Sequence, residues 1–66
     1  MRYRAYILGK DLHTTGEVIE SDDLRILYRA ARYQIRVEAD WCSGAYLYDS
    51  KLDLCKRIFA VILNID

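Results

Sequence analysis

The chain of 66 residues has no proline and only three glycines, two cysteines and one histidine. Without a proline-rich or glycine-rich stretch there is no visible linker, so we expect a single domain over residues 1–66. The spacing of Cys42 and Cys55, with His13 as the one histidine, fits neither a zinc site nor a redox pair. We therefore predict two reduced, buried thiols, with a single disulfide as the alternative.

Motifs that carry catalytic chemistry are also missing. The sequence has no glycine-rich phosphate loop, no nucleophile elbow and no HExxH motif. His13 lies in a stretch of turn-forming residues, and the acidic pair Asp22 and Asp23 stands where a helix would begin. Both are usual on a solvated surface. We therefore predict that the protein is not an enzyme and has no catalytic residue, cofactor or metal.

Long apolar runs and a net charge are absent as well. The run at residues 58–63 falls far short of the roughly 20 residues that a membrane span needs. No signal peptide is visible either, which predicts a cytoplasmic protein without membrane contact. The formal net charge is zero, yet residues 11–23 carry five acids and residues 24–36 carry four arginines. The simplest expectation is that such blocks become neutralising neighbours in the fold.

The segment from Asp22 to Arg36 has the clearest pattern in the chain. Its apolar residues recur at the spacing of one helix face, and Ser21, Asp22 and Asp23 are placed to cap the N-terminus. Two further stripes follow the same helix, one basic and one apolar, the latter on the side away from the core. The core-facing stripe consists of Leu24, Leu27, Tyr28, Ala31 and Ile35, the arginine stripe of Arg25, Arg29, Arg32 and Arg36, and the second apolar stripe of Ile26, Ala30 and Tyr33.

Alternating apolar and polar residues predict strands around this helix. A strand over Arg2–Leu8 and a shorter one over Glu17–Glu20 are expected to pair antiparallel. Residues 34–41 also alternate, so we predict that the helix ends near residue 34 and that a strand starts by Arg36. This strand would turn at Ser43-Gly44 and form a hairpin that sets Trp41 opposite Tyr46.

The C-terminal segment has two interpretations. Ser50–Asp53 has the pattern of a capping box, and apolar residues follow at helical spacing, which favours a second helix over Lys51–Leu63. The β-branched residues instead favour a final strand through Arg57–Ile65. We predict the helix, and therefore a small α+β domain of two layers. Its element order is ββαββα, with an antiparallel sheet and both helices on one face.

Binding is the function that this pattern favours. Six tyrosines and one tryptophan supply the amphipathic contact surface that binding sites often use. The main prediction is a protein-interaction module, a regulator or inhibitor that docks on a larger macromolecule, as compact phage and mobile-element proteins such as anti-CRISPRs often do. The alternative is a nucleic-acid-binding accessory protein whose arginine stripe contacts phosphates.

A homodimer through the second apolar stripe is a further prediction, unless the second helix covers that stripe within the monomer. The protein partner is not identified by the sequence, and nucleic acid is the second choice. The residues predicted to bind a partner are Arg25, Arg29, Arg32, Ile26, Ala30 and Tyr33.

Overall fold

The computed structural model, which describes residues 1–63, contains a four-stranded antiparallel sheet with a helix packed on one face. The strand order is β2-β1-β3-β4, so β2 and β4 form the two edges. The α+β class, the two layers and the order ββαββ are as predicted, but the last element is a strand. The elements are β1 (Tyr3–Gly9), β2 (Thr14–Ser21), α1 (Leu24–Val37), β3 (Cys42–Asp49), a 3-10 turn at Leu54–Lys56 and β4 (Ile58–Leu63).

Helix α1 begins at the predicted cap but ends later than predicted. The Asp23 carboxylate accepts hydrogen bonds from the backbone N–H groups of Arg25 and Ile26, at 2.9 and 3.4 Å. The helix then continues to Val37, because Ile35 extends the buried stripe by another turn. Arg36 therefore belongs to the helix, and the predicted strand over residues 36–41 was wrong.

The core lies between α1 and the face of the sheet beneath it. Alternate residues of β1 and β3 point toward the helix, as the period of two in a strand requires. Trp41 follows the helix and packs against this core while half-buried. The buried members of the core are Ala5, Ile7, Leu27, Ala31, Ile35, Cys42, Ala45 and Leu47.

The predicted hairpin at Ser43-Gly44 was wrong, because both residues lie inside β3. Tyr46 is consequently opposite Tyr6 of β1 and not opposite Trp41. Position 44 has no room for a side chain, because a Cβ atom there would collide with the backbone carbonyl of Ile62 on the neighbouring strand. Gly44 thus permits the close approach of β4.

The predicted C-terminal helix over Lys51–Leu63 was also wrong. The Ser50 hydroxyl donates to the backbone carbonyl of Arg2 at 3.0 Å instead of capping a helix, and the 3-10 turn is brief. Residues 58–63 form the alternative strand, because β-branched residues suit a strand and pairing with β3 satisfies the backbone. Residues 64–65 of that alternative lie outside the described chain.

Both cysteines are free thiols. Cys42 is buried as predicted, and burial raises the pKa of its thiol. Cys55 is exposed on the 3-10 turn, so the prediction that it is buried was wrong. That prediction depended on the C-terminal helix, which does not form.

Candidate partner-binding surface

Strand β4 exposes apolar side chains although it belongs to the sheet. Ile58, Phe59, Val61 and Leu63 are 55%, 40%, 48% and 51% exposed. Since β4 is an edge strand, part of its backbone hydrogen-bonding capacity also points away from β3. The strand therefore offers both apolar surface and unpaired backbone groups to another molecule.

An apolar groove of ≈ 420 Å³ runs between β4 and the first half of α1. It opens because α1 packs on β1, β2 and β3 and only slightly on β4. Leu24 and Tyr28 form the helix wall, Phe59 and Ala60 form the strand wall, and Leu47 lies at the base. A bulge in β4 at Phe59 turns its ring to the helix side of the sheet.

The rim of this groove is basic. Arg25 and Arg29 line it, and Arg32 and Arg36 continue the stripe toward the helix C-terminus. Within residues 1–63, every ion pair uses other cations, so the expected neutralisation of this stripe by acidic neighbours is absent. Arg32 donates to the Tyr28 hydroxyl at 3.2 Å and lies 5.6 Å from the centre of its ring.

The second apolar stripe lies on a different side of the helix. Ile26 and Tyr33 are 60% and 69% exposed, and Ala30 is half-buried. Gln34, on the same side, donates to Glu17 of β2 at 2.7 Å, which orients this side toward the edge of the sheet opposite β4. The two predicted stripes nevertheless adjoin, because Ile26 lines a hollow with Arg25 and Arg29, and Tyr33 lines another with Arg32. Of the six predicted partner-binding residues, Arg25 and Arg29 also line the groove beside β4.

The sheet face opposite α1 carries a row of side chains that the sequence pattern did not predict, called here the aromatic row because two tyrosines form its centre. The row crosses all four strands and places two tyrosines side by side. Arg4 lies on this face, where it is engaged by Glu20 at 3.7 Å and by the Tyr6 hydroxyl at 3.3 Å. An arginine already paired in this way is less available to phosphate. In strand order, the row consists of Val18, Tyr6, Tyr46 and Val61.

Other kinds of site have little support in the described chain. No helix over residues 1–63 is both long and apolar enough to cross a membrane. The same residues contain no cluster of three or more potential metal ligands. His13 lies exposed in the loop between β1 and β2.

Comparison with known proteins adds no family to this picture. No family model, no curated protein and no solved structure matches the chain. The groove, the β4 edge and the arginine stripe must therefore be interpreted from their own chemistry.

Proposed function

We propose that the protein is a cytoplasmic interaction module that regulates or inhibits a larger protein by docking on it. The docking site is the β4 surface, defined as the exposed strand β4, the groove beside it and its rim residues Arg25 and Arg29. The observation that supports this proposal is the combination of an uncovered apolar edge strand with arginines that have no acidic partner within residues 1–63.

The energetics of the β4 surface favour binding over a purely structural role. Burying a large apolar side chain stabilises a complex by about 1.5–3 kcal/mol, so covering Phe59 in the groove supplies a driving force. A partner that lies along the strand edge also contacts Ile58 and Val61, which point to the opposite face of the sheet. Aromatic residues and arginine are also the types enriched where interfaces gain most of their energy. Phe59, Tyr28, Arg25 and Arg29 meet at one groove.

A nucleic-acid-binding role is the second candidate, because four arginines follow one side of the helix. Two observations make it the weaker one. The groove beside Arg25 and Arg29 is apolar, which suits protein side chains better than phosphates. The net charge of zero also gives no overall attraction to a polyanion. Binding to nucleic acid would weaken steeply with salt, whereas an apolar interface would weaken little.

The experiment is affinity capture from the native host with matched charge-reversal variants. One variant replaces Arg25, Arg29 and Arg32 with glutamate. The control replaces the exposed residues Lys10, Lys51 and Lys56 with glutamate and so has the same change in net charge. Captured proteins are identified by mass spectrometry, and binding is repeated with the purified partner at low and high salt.

The wild type and the lysine control should retain the same partner, and the arginine variant should lose it while staying folded. These three arginines are exposed and form no ion pair within residues 1–63, so their replacement should leave the fold intact. Unchanged binding by the arginine variant would contradict the proposal. Capture that nuclease abolishes would favour the nucleic-acid alternative.

A further inference from the structure

We infer that the β4 surface binds an extended acidic segment of its partner by strand addition, so that the sheet gains a fifth strand. This inference rests on the proposed function and names the class of ligand that the site takes. It combines three observations: an unprotected strand edge, an apolar groove beside that edge and a basic rim above the groove.

The two edges of the sheet differ in their protection. Edge strands usually carry charges, proline or a covering element, since an unprotected edge pairs with other chains. β2 carries Glu17 and Glu20 together with Gly16. β4, with the sequence IFAVIL, has no charged residue, no proline and no helix packed firmly over it. The edge that is open to strand addition is therefore β4, and β2 serves as the internal comparison.

The groove indicates which side chains an added strand would carry. In a strand, alternate side chains point to the same face, so every second residue of the ligand would face α1. An apolar side chain there would fill the space between Tyr28 and Phe59. A carboxylate two positions away would reach the guanidinium groups at the rim, Arg25 and Arg29, which prefer bidentate acidic partners. The expected ligand has an acidic residue two positions from an apolar one.

Charge also decides against a second copy of this chain as the occupant. Antiparallel pairing of β4 with β4 of another copy would follow a two-fold axis perpendicular to the sheet and would put both helices on the same face. Arg25 and Arg29 of each copy would then face those of the other across one cleft. Their like charges would repel each other, whereas an acidic segment would neutralise them.

The test uses a library of random linear 12-residue peptides, selected on the wild-type protein and counter-selected on the Arg25→Glu/Arg29→Glu variant. Selected peptides should contain the acidic and apolar pair described above. Their affinity should fall about tenfold when one backbone N–H that faces β4 is methylated, since this removes a hydrogen bond and adds bulk. Methylation at the intervening positions should change affinity little, and this alternation is specific to strand addition.

Each contradictory outcome has a different meaning. Peptides that depend on Arg25 and Arg29 but tolerate methylation everywhere would overturn strand addition and leave the proposed function standing. If the selection yields no peptide whose binding depends on Arg25 and Arg29, the inference is wrong. The proposed function is tested separately by the capture experiment. If the protein dimerises and the dimer competes with the peptides, the occupant of the β4 surface is a second copy of the chain and the inference of an acidic segment is wrong. Circular dichroism is the control, and it should show that the variant is folded.

Discussion

Arg2 and Asp49 form an ion pair that joins two distant parts of the chain. Asp49 ends β3 and is 5% exposed, and Arg2 precedes β1. Arg2 Nε and Nη2 donate to the two carboxylate oxygens at 2.9 and 3.0 Å, and the Lys51 N–H donates to Oδ1 at 3.0 Å. The hydrogen bond from Arg2 holds the pKa of Asp49 below its ordinary value. Its ionised form therefore stabilises the fold above the unfolded pKa of about 3.9.

Asp49→Asn should lower the free energy of unfolding at pH 7, because the variant loses the charged partner of Arg2. The difference from wild type should shrink as the pH falls below about 4, because the wild-type carboxylate is then protonated in the unfolded chain first and, at lower pH, in the folded protein. Urea denaturation between pH 3 and pH 7 measures this. Asp53→Asn is the control, since the Asp53 side chain forms no cap hydrogen bond. A difference that does not depend on pH would show that the ion pair is not its cause.

The two thiols should differ sharply in reactivity. Cys55 is exposed and should react quickly with a thiol reagent, whereas Cys42 is buried with a raised pKa and should react only after unfolding. Stopped-flow labelling should resolve one fast and one slow thiol. In the Cys55→Ser variant only the slow reaction of Cys42 should remain. Fast labelling of Cys42 in the folded protein would mean that the core opens readily.

At the scale of elements, the sequence predicted the structure that depends on local patterns but not the structure that depends on pairing between distant segments. Helix α1 could be predicted because its cap and its buried stripe lie within its own sequence. In the C-terminal segment the capping-box pattern favoured a helix over the alternative strand, and pairing with β3, which the local pattern does not show, decides for the strand. The aromatic row is invisible for the same reason, because Tyr6 and Tyr46 become neighbours only when β1 and β3 pair. The sequence placed Arg25 and Arg29 on one helix side, but the groove beside them depends on β4.

Gly44→Ala should weaken the pairing of β3 with β4. The added methyl group would collide with the Ile62 backbone, which cannot move as freely as a side chain, so we expect a loss of about 1–3 kcal/mol in unfolding free energy. Gly9→Ala is the control, because there the nearest atoms are side-chain atoms of Asp11 and Thr15 at 3.4 Å. Urea denaturation of both variants gives the comparison. Equal, small losses would contradict the close approach of β4 at position 44.

At the scale of the whole molecule, no element within residues 1–63 covers the second apolar stripe. The predicted helix that would have covered Ile26, Ala30 and Tyr33 is absent from residues 1–63, so the homodimer stays a prediction. Wild type should then sediment as a dimer at high concentration, and Ile26→Asp should sediment as a folded monomer, because a buried charge opposes pairing. A monomeric wild type at high concentration would exclude this dimer and leave the stripe to an outside partner.

The most direct test of the β4 surface is amide hydrogen exchange, read by NMR, in the protein alone and saturated with the captured partner. Alternate amides of residues 58–63 should exchange more slowly in the complex, because a docked strand pairs the N–H groups that point away from β3. Amides along β2, the protected edge, should keep their rates. Unchanged exchange along β4, with protection gained along β2 instead, would contradict docking at the β4 surface.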